Sequence, residues 1–192
     1  MTKNYQQNNK AFTLVETLVA ISIFTVSILG LMSVLTSGIS STNYAKQKII
    51  ASYLAQEGIE YIRNIRDDYM LYGNNWNNFR TKINECGNHG TNDKTCYFDD
   101  QSLDFSDPSM PMTKILIDSC PNDLCPTLLY DSNTGKYNYS SSGVNSGFIR
   151  SIQARYPRGP DDEIKIISIV SWNQGSGSYN VTFSETLFNW VE

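Results

Sequence analysis

The chain has 192 residues and a mass of 21.7 kDa, with 15 Lys and Arg against 19 Asp and Glu, a formal net charge of −4. That length fits one domain plus an appendage, and the acidic balance argues against a nucleic-acid-binding head, which normally shows a basic excess. A mean hydropathy of −0.34 excludes a multi-span membrane protein, and a single histidine, His89, leaves no room for a His-rich metal site or for chemistry built on paired histidines.

The average conceals an uneven distribution. Met1 to Ala11 is a polar stub carrying Lys3 and Lys10. From Thr17 to Ala45 there is no charged residue, and Leu18 to Leu35 reads LVAISIFTVSILGLMSVL. About 20 predominantly apolar residues suffice to cross a bilayer as a helix. Lysines on the N-terminal flank place that end in the cytoplasm, and the remainder of the chain outside it. Glu16 sits inside the apolar run, after Phe12, Thr13, Leu14 and Val15. A carboxylate near the middle of a bilayer costs about 2.5–3.5 kcal/mol on insertion scales, and less near its edge, so it calls for a partner or a headgroup-level position. In the first turn of a helix its charge also complements the macrodipole. A cleaved secretory signal fits poorly because the apolar stretch is too long and Glu16 stands at its start. A plain anchor explains the length but not Glu16.

Lys10-Ala11-Phe12-Thr13-Leu14-Val15-Glu16 resembles the processing motif of type IV pilins and of the pseudopilins of type II secretion. The resemblance implies a leader, residues 1–11, removed by a prepilin peptidase between Ala11 and Phe12, and methylation of the new Phe12 amine. Ala11 stands where the family more often has Gly. Glu16 becomes the fifth mature residue, with an assembly and register role. Lys3 and Lys10 supply the leader's charge. Leu54-Ala55-Gln56-Glu57-Gly58-Ile59-Glu60, Arg63 to Asp67, and the C-terminal stretch Ile167 to Trp190 look like parts of the minor pilins called type V. The implied partners are other pilin subunits, the prepilin peptidase, a pilus or secretion assembly platform and, before assembly, the cytoplasmic membrane. The implied location is a single-pass subunit of that membrane with its head outside, and later the pilus surface.

In chain order, a helix is expected from near Phe12 to about Asp67, since no proline precedes Pro108. Residues 12–40 form its membrane-spanning or filament-core half, with Gly30 and Gly38 its weakest points. Residues 41–68 form an amphipathic half. Ile50, Leu54, Gly58, Tyr61 and Ile65 make the apolar stripe, with Ile62 at its margin. Residues 69–147 read as a loop-rich region. Tyr69, Tyr72, Trp76 and Phe79, interspersed with Asn and Gly, suggest a carbohydrate surface or, preferably, aromatics anchored to the domain. Asn133 to Gly147 reads as a second polar loop.

The four cysteines, Cys86, Cys96, Cys120 and Cys125, allow three pairings. Outside the cytoplasm disulfides persist, and close spacing favours Cys86–Cys96 and Cys120–Cys125. A four-Cys zinc site fits the second pair's spacing but not the first's. Asp161, Asp162 and Glu163 could offer carboxylates to calcium, but a solvated turn is the preferred reading, so no metal and no cofactor is expected. His89 is expected in a surface loop.

Residues 148–192 read as sheet. Phe148, Ile152, Ala154 and Tyr156 alternate with polar residues, Arg150 being the exception on the apolar face. Ile164–Trp172 is dense in β-branched residues. Tyr179–Trp190 alternates with Glu185 as its exception, and Asn173–Ser178 supplies the turn between them. The expected fold is α+β, a long helix packed on a small antiparallel sheet. No catalytic constellation is present, and a non-enzymatic structural subunit is expected. A secretion or DNA-uptake pseudopilin and a pilus-tip adhesin are the alternatives.

Overall fold

The computed structural model describes residues 13–71, 75–87, 94–99, 117–121, 124–139, 143–156 and 162–190. The chain divides into two compact units, Met1–Ala45 and Lys46–Glu192. The fold is α+β, with a long N-terminal helix followed by an antiparallel sheet.

Helix α1 runs Leu14–Leu71, a turn beyond the expected end. In the second unit its buried face is Ala51, Leu54, Ala55, Gly58, Ile59, Tyr61, Ile62 and Ile65. The expected stripe is rotated: Ile62 lies at its centre with no exposed surface, and Ile50 only at its edge, half-buried. The rotation follows from size. Ala51, Ala55 and Gly58 are the small residues that let the helix approach the sheet. A Cβ added at Gly58 would meet Ser168 Oγ at 2.5 Å and Ile152 Cδ1 at 3.0 Å.

Three long strands carry the sheet: β5 (Val144–Arg155), β6 (Glu163–Gln174) and β7 (Gly177–Phe188), paired antiparallel in that order. The expected six-residue turn contracts to Gly175-Ser176, because Gln174 already pairs with Gly177. Gly175 takes φ +59°, the left-handed conformation that two-residue hairpin turns demand.

The region expected to be loop-rich holds more structure. Helix α2 (Trp76–Ile83) is capped by Asn75, whose side chain accepts from the Asn78 amide at 3.1 Å, and a 3-10 turn, Asn84–Cys86, follows it. Four short strands follow: β1 (Cys96–Phe98), β2 (Ile117–Ser119), β3 (Thr127–Asp131) and β4 (Lys136–Asn138). The edge of β5 not used by β6 is shared by successive partners. β3 pairs along its first half and β1 at Ile152, and Gly87 bridges Ala154. The stretch expected as a second polar loop is therefore β4, the start of β5 and the turn before β4. There Asp131 caps the turn, accepting from the Asn133 amide at 2.8 Å and the Thr134 hydroxyl at 2.9 Å.

The head's core lies between α1, α2 and the sheet. Trp76, Phe79 and Ile83, at i, i+3 and i+7 of α2, are all buried against Ile62, Ile65, Ile152 and Leu187. The disulfides Cys86–Cys96, with Cα atoms 5.1 Å apart, and Cys120–Cys125, 4.5 Å apart, staple this region. The first joins the end of the 3-10 turn to β1 inside the core. A disulfide closing a short loop stabilises by about 2–3 kcal/mol.

Candidate assembly site

The first described turn of α1 holds Glu16. Thr13 precedes the helix, and Thr13-Leu14-Val15-Glu16 forms a reciprocal cap. The Thr13 amide and the Thr13 hydroxyl both donate to Glu16 Oε2 at 3.0 Å, and the Glu16 amide donates to Thr13 Oγ1 at 3.3 Å. This is the capping-box arrangement, which satisfies orphan donors at a helix start from both sides. The carboxylate is thus held over the positive end of the helix dipole. Thr13 is a residue the sequence reading passed over, although the T-x-x-E spacing was there to read.

Beyond Glu16 the helix presents only uncharged surface as far as Ala45. None of its most apolar stretch is buried, and Leu14 and Leu29 are 80% and 70% exposed. Several hydroxyls along it are satisfied within the helix. Ser22, Ser27, Thr36 and Thr42 each donate to the carbonyl four residues back at 2.8–2.9 Å. A surface of this kind, uncharged and with hydroxyls turned back onto the helix, suits lipid or another apolar helix. By length and composition the helix is able to cross a membrane. Gly30 and Gly38 have open space where a side chain would stand, leaving two shallow places for a neighbour to approach.

Lys3, Lys10, Ala11 and Phe12 lie outside the described residues, as do His89 and Asp161. Asp162 and Glu163 are described. The Asp162 carbonyl accepts from the Asn189 amide at 2.8 Å, and Glu163 opens β6 opposite Phe188. Among the described residues no three His, Cys, Asp or Glu side chains group as metal ligands do. Trp76 and Phe79 are 5% and 0% exposed, so these two aromatics are core anchors and not a sugar-stacking surface.

The two sequence exceptions prove to be paired. Arg150 is buried in the head with 1% of its side chain exposed. It meets Glu57 of α1 at 3.1 Å, donates to the Phe98 carbonyl at 3.3 Å and lies 4.1 Å over the Phe98 ring. The other face of that ring stacks on Tyr61 at 3.7 Å. Glu185 pairs with Arg63, which also holds Glu60 at 2.6 Å. Both pairs fasten α1 to the sheet.

Residues 6–32 match the family model of the prokaryotic N-terminal methylation motif, the type IV pilin signature. The match covers Ala11 and Phe12, where cleavage is expected, Thr13, Glu16 and the apolar run as far as Met32. No curated protein and no solved structure matches the chain. The motif supports a type IV pilin-like or pseudopilin precursor, and it implies processing by a prepilin peptidase and assembly with other pilins.

Proposed function

We propose that this chain is a minor subunit of a type IV pilus, a structural protein without catalytic activity. It is cut between Ala11 and Phe12, methylated on the Phe12 amine, and drawn from the cytoplasmic membrane into a helical filament. The supporting observation is a single carboxylate, Glu16, at the start of a helix that is otherwise uncharged as far as Ala45 and whose most apolar stretch is wholly exposed. Lys3 and Lys10 hold the leader in the cytoplasm, and two disulfides suit a head outside it.

The capping box gives Glu16 a role at each stage. In the membrane, Thr13 partly offsets the cost of the carboxylate by donating two hydrogen bonds to it. Cleavage before Phe12 leaves the Thr13 nitrogen an amide, so the box is compatible with processing. In the filament, the carboxylate meets the Phe12 amine of a neighbouring subunit. Opposite charges attract strongly in an apolar bundle, and either alone is heavily penalised, so the pair fixes register more than it adds net stability. A contact of this head-to-tail kind does not close on itself and propagates a filament.

Glu16→Leu tests the reading. Membrane insertion and cleavage should persist while incorporation into filaments is lost. Normal incorporation of the variant would contradict the register role. The motif is shared with pseudopilins, so deleting the gene and assaying surface fibres, protein secretion and DNA uptake identifies the machine served.

A further inference from the structure

The polar face of α2 lines a cleft of about 360 Å³ in the head. Trp76, Phe79 and Ile83 turn the other face of this helix into the core. Asn77, Arg80, Thr81 and Asn84, spaced i, i+3, i+4 and i+7, share the outer face, and Tyr156, just past the end of β5, completes the lining. We propose that this cleft binds a saccharide bearing a carboxylate. Arg80 takes the carboxylate, Asn77 and Asn84 take ring hydroxyls, and Tyr156 is the wall on which a sugar ring packs. The proposal goes beyond the filament reading and does not depend on it, because every residue of the cleft belongs to the second unit.

Chemistry selects the ligand class. Among the described residues of the lining, Arg80 carries the one charge. Its planar fork matches a carboxylate bidentately. Each Asn amide sets a donor beside an acceptor, the pattern that suits neighbouring hydroxyls on a sugar ring. The Thr81 hydroxyl donates to the Asn77 carbonyl at 2.8 Å, and its oxygen can still accept. A simple anion would use Arg80 and leave both amides idle. An apolar ligand would strip water from all four polar side chains and replace none of it. The volume falls at the low end of small-ligand sites, roughly 300–1,000 Å³, which suits a short saccharide.

The way the cleft is built holds these parts in place. The Tyr156 hydroxyl donates to the Arg80 carbonyl at 3.4 Å, and the Arg80 guanidinium lies 5.6 Å from the centre of the Tyr156 ring. Gly87 bridges Ala154, two residues before Tyr156, and its neighbour Cys86 is tied to Cys96. A Cβ added at Gly87 would stand 2.8 Å from Tyr156 Cε2, so the ring is seated against bare backbone. Phe79 and Ile83, with no exposed surface, fix α2 beneath the cleft. Residues locked before the ligand arrives lose little freedom on binding it.

The test titrates the full chain, purified in a detergent without a sugar headgroup, by isothermal titration calorimetry. The probes are trigalacturonate, a hyaluronan tetrasaccharide and sialyllactose, with their methyl-esterified forms and inorganic phosphate as controls. At least one acidic saccharide is expected to bind, and esterifying it should weaken binding by roughly tenfold or more, as loss of a charge-assisted bidentate contact does. Arg80→Gln and Asn77→Ala should each weaken it by roughly fivefold or more, the effect of a lost hydrogen bond. Lys136→Gln, which removes a cation on β4 outside the cleft, should leave the affinity unchanged. Asn77 is exposed, so Asn77→Ala keeps the fold and decides the case if Arg80→Gln lowers the melting midpoint. Failure of all three saccharides to bind, equal binding of the esters, or full affinity in Asn77→Ala would each overturn the assignment. So would an equal loss in Lys136→Gln, or displacement of the saccharide by phosphate at the same concentration. Glu16→Leu should bind the saccharide as the unaltered chain does, so the cleft and the filament reading stand or fall separately.

Discussion

Arg150 is the one fully buried cation among the described residues, and its surroundings explain why it is tolerated. Its charge meets Glu57, one of its donors reaches the Phe98 carbonyl, and its flat face rests on the Phe98 ring. Replacing Glu57 with Leu would leave the guanidinium buried without its counter-charge. Breaking a buried pair from one side costs about 3–5 kcal/mol, and the low end applies because Glu57 is half-exposed. Chemical denaturation of Glu57→Leu, with the Glu57→Leu/Arg150→Met double variant beside it, should show a large loss in the single variant and substantial recovery in the double. Equal stability of the single variant and wild type would mean that the pair contributes nothing. At the other end of the chain the logic is similar on a smaller scale. The Thr13–Glu16 box satisfies a helix start from both sides.

At the scale of elements, the close approach of α1 to β6 depends on Gly58. Alanine there would gain up to about 1 kcal/mol of helix propensity, but its Cβ would stand 2.5 Å from Ser168 Oγ. Forcing an extra carbon into a packed contact costs about 1–3 kcal/mol, so Gly58→Ala should lower stability on balance. Combining it with Ser168→Gly should recover part of the loss, a coupling that a double-mutant cycle measures directly. Simple additivity would show that the two elements do not meet there.

The same elements show where local pattern suffices. β5, β6 and β7 are twelve residues each, and from Phe148 onward their strand pattern reads off the sequence. The charge-free run and the T-x-x-E start are equally local. Helix α2 has a local signature too, Trp76, Phe79 and Ile83 behind an Asn cap, but its Asn-rich composition reads as loop. β1 to β4 are three to five residues long, too short to display a period. β1 and β3 form because the edge of β5 offers them partners, and β2 and β4 pair with those in turn. The Arg150–Glu57 pair joins residues far apart in sequence, and no spacing rule announces it.

For the molecule as a whole, two different solvents govern two stretches of one chain. The apolar run needs lipid or other helices around it, whereas the head is closed by its own core and two disulfides. The head should be most vulnerable at high pH. Burial pushes the Tyr139 and Tyr156 hydroxyls up to about 12, against the opposing pull of Arg150 and Arg80 respectively. Below pH about 10, the ordinary tyrosine value, both states of the chain keep these hydroxyls protonated and the stabilisation is intact. As pH rises from about 10 toward 12, the unfolded chain ionises first, and that stability is progressively lost. The denaturation midpoint should fall across this window, and less steeply in the Tyr139→Phe/Tyr156→Phe variant. Identical pH dependence of the two proteins would remove these tyrosines as the cause.

The central claim is that the chain enters a filament through a processed N-terminus carrying Glu16 four residues in. Mass spectrometry of the protein recovered from membranes and from sheared surface filaments tests it most directly. The account predicts a mature chain beginning at N-methylated Phe12 in both fractions. A chain beginning at Met1, or cut near Gly38 with the apolar helix removed, would contradict it.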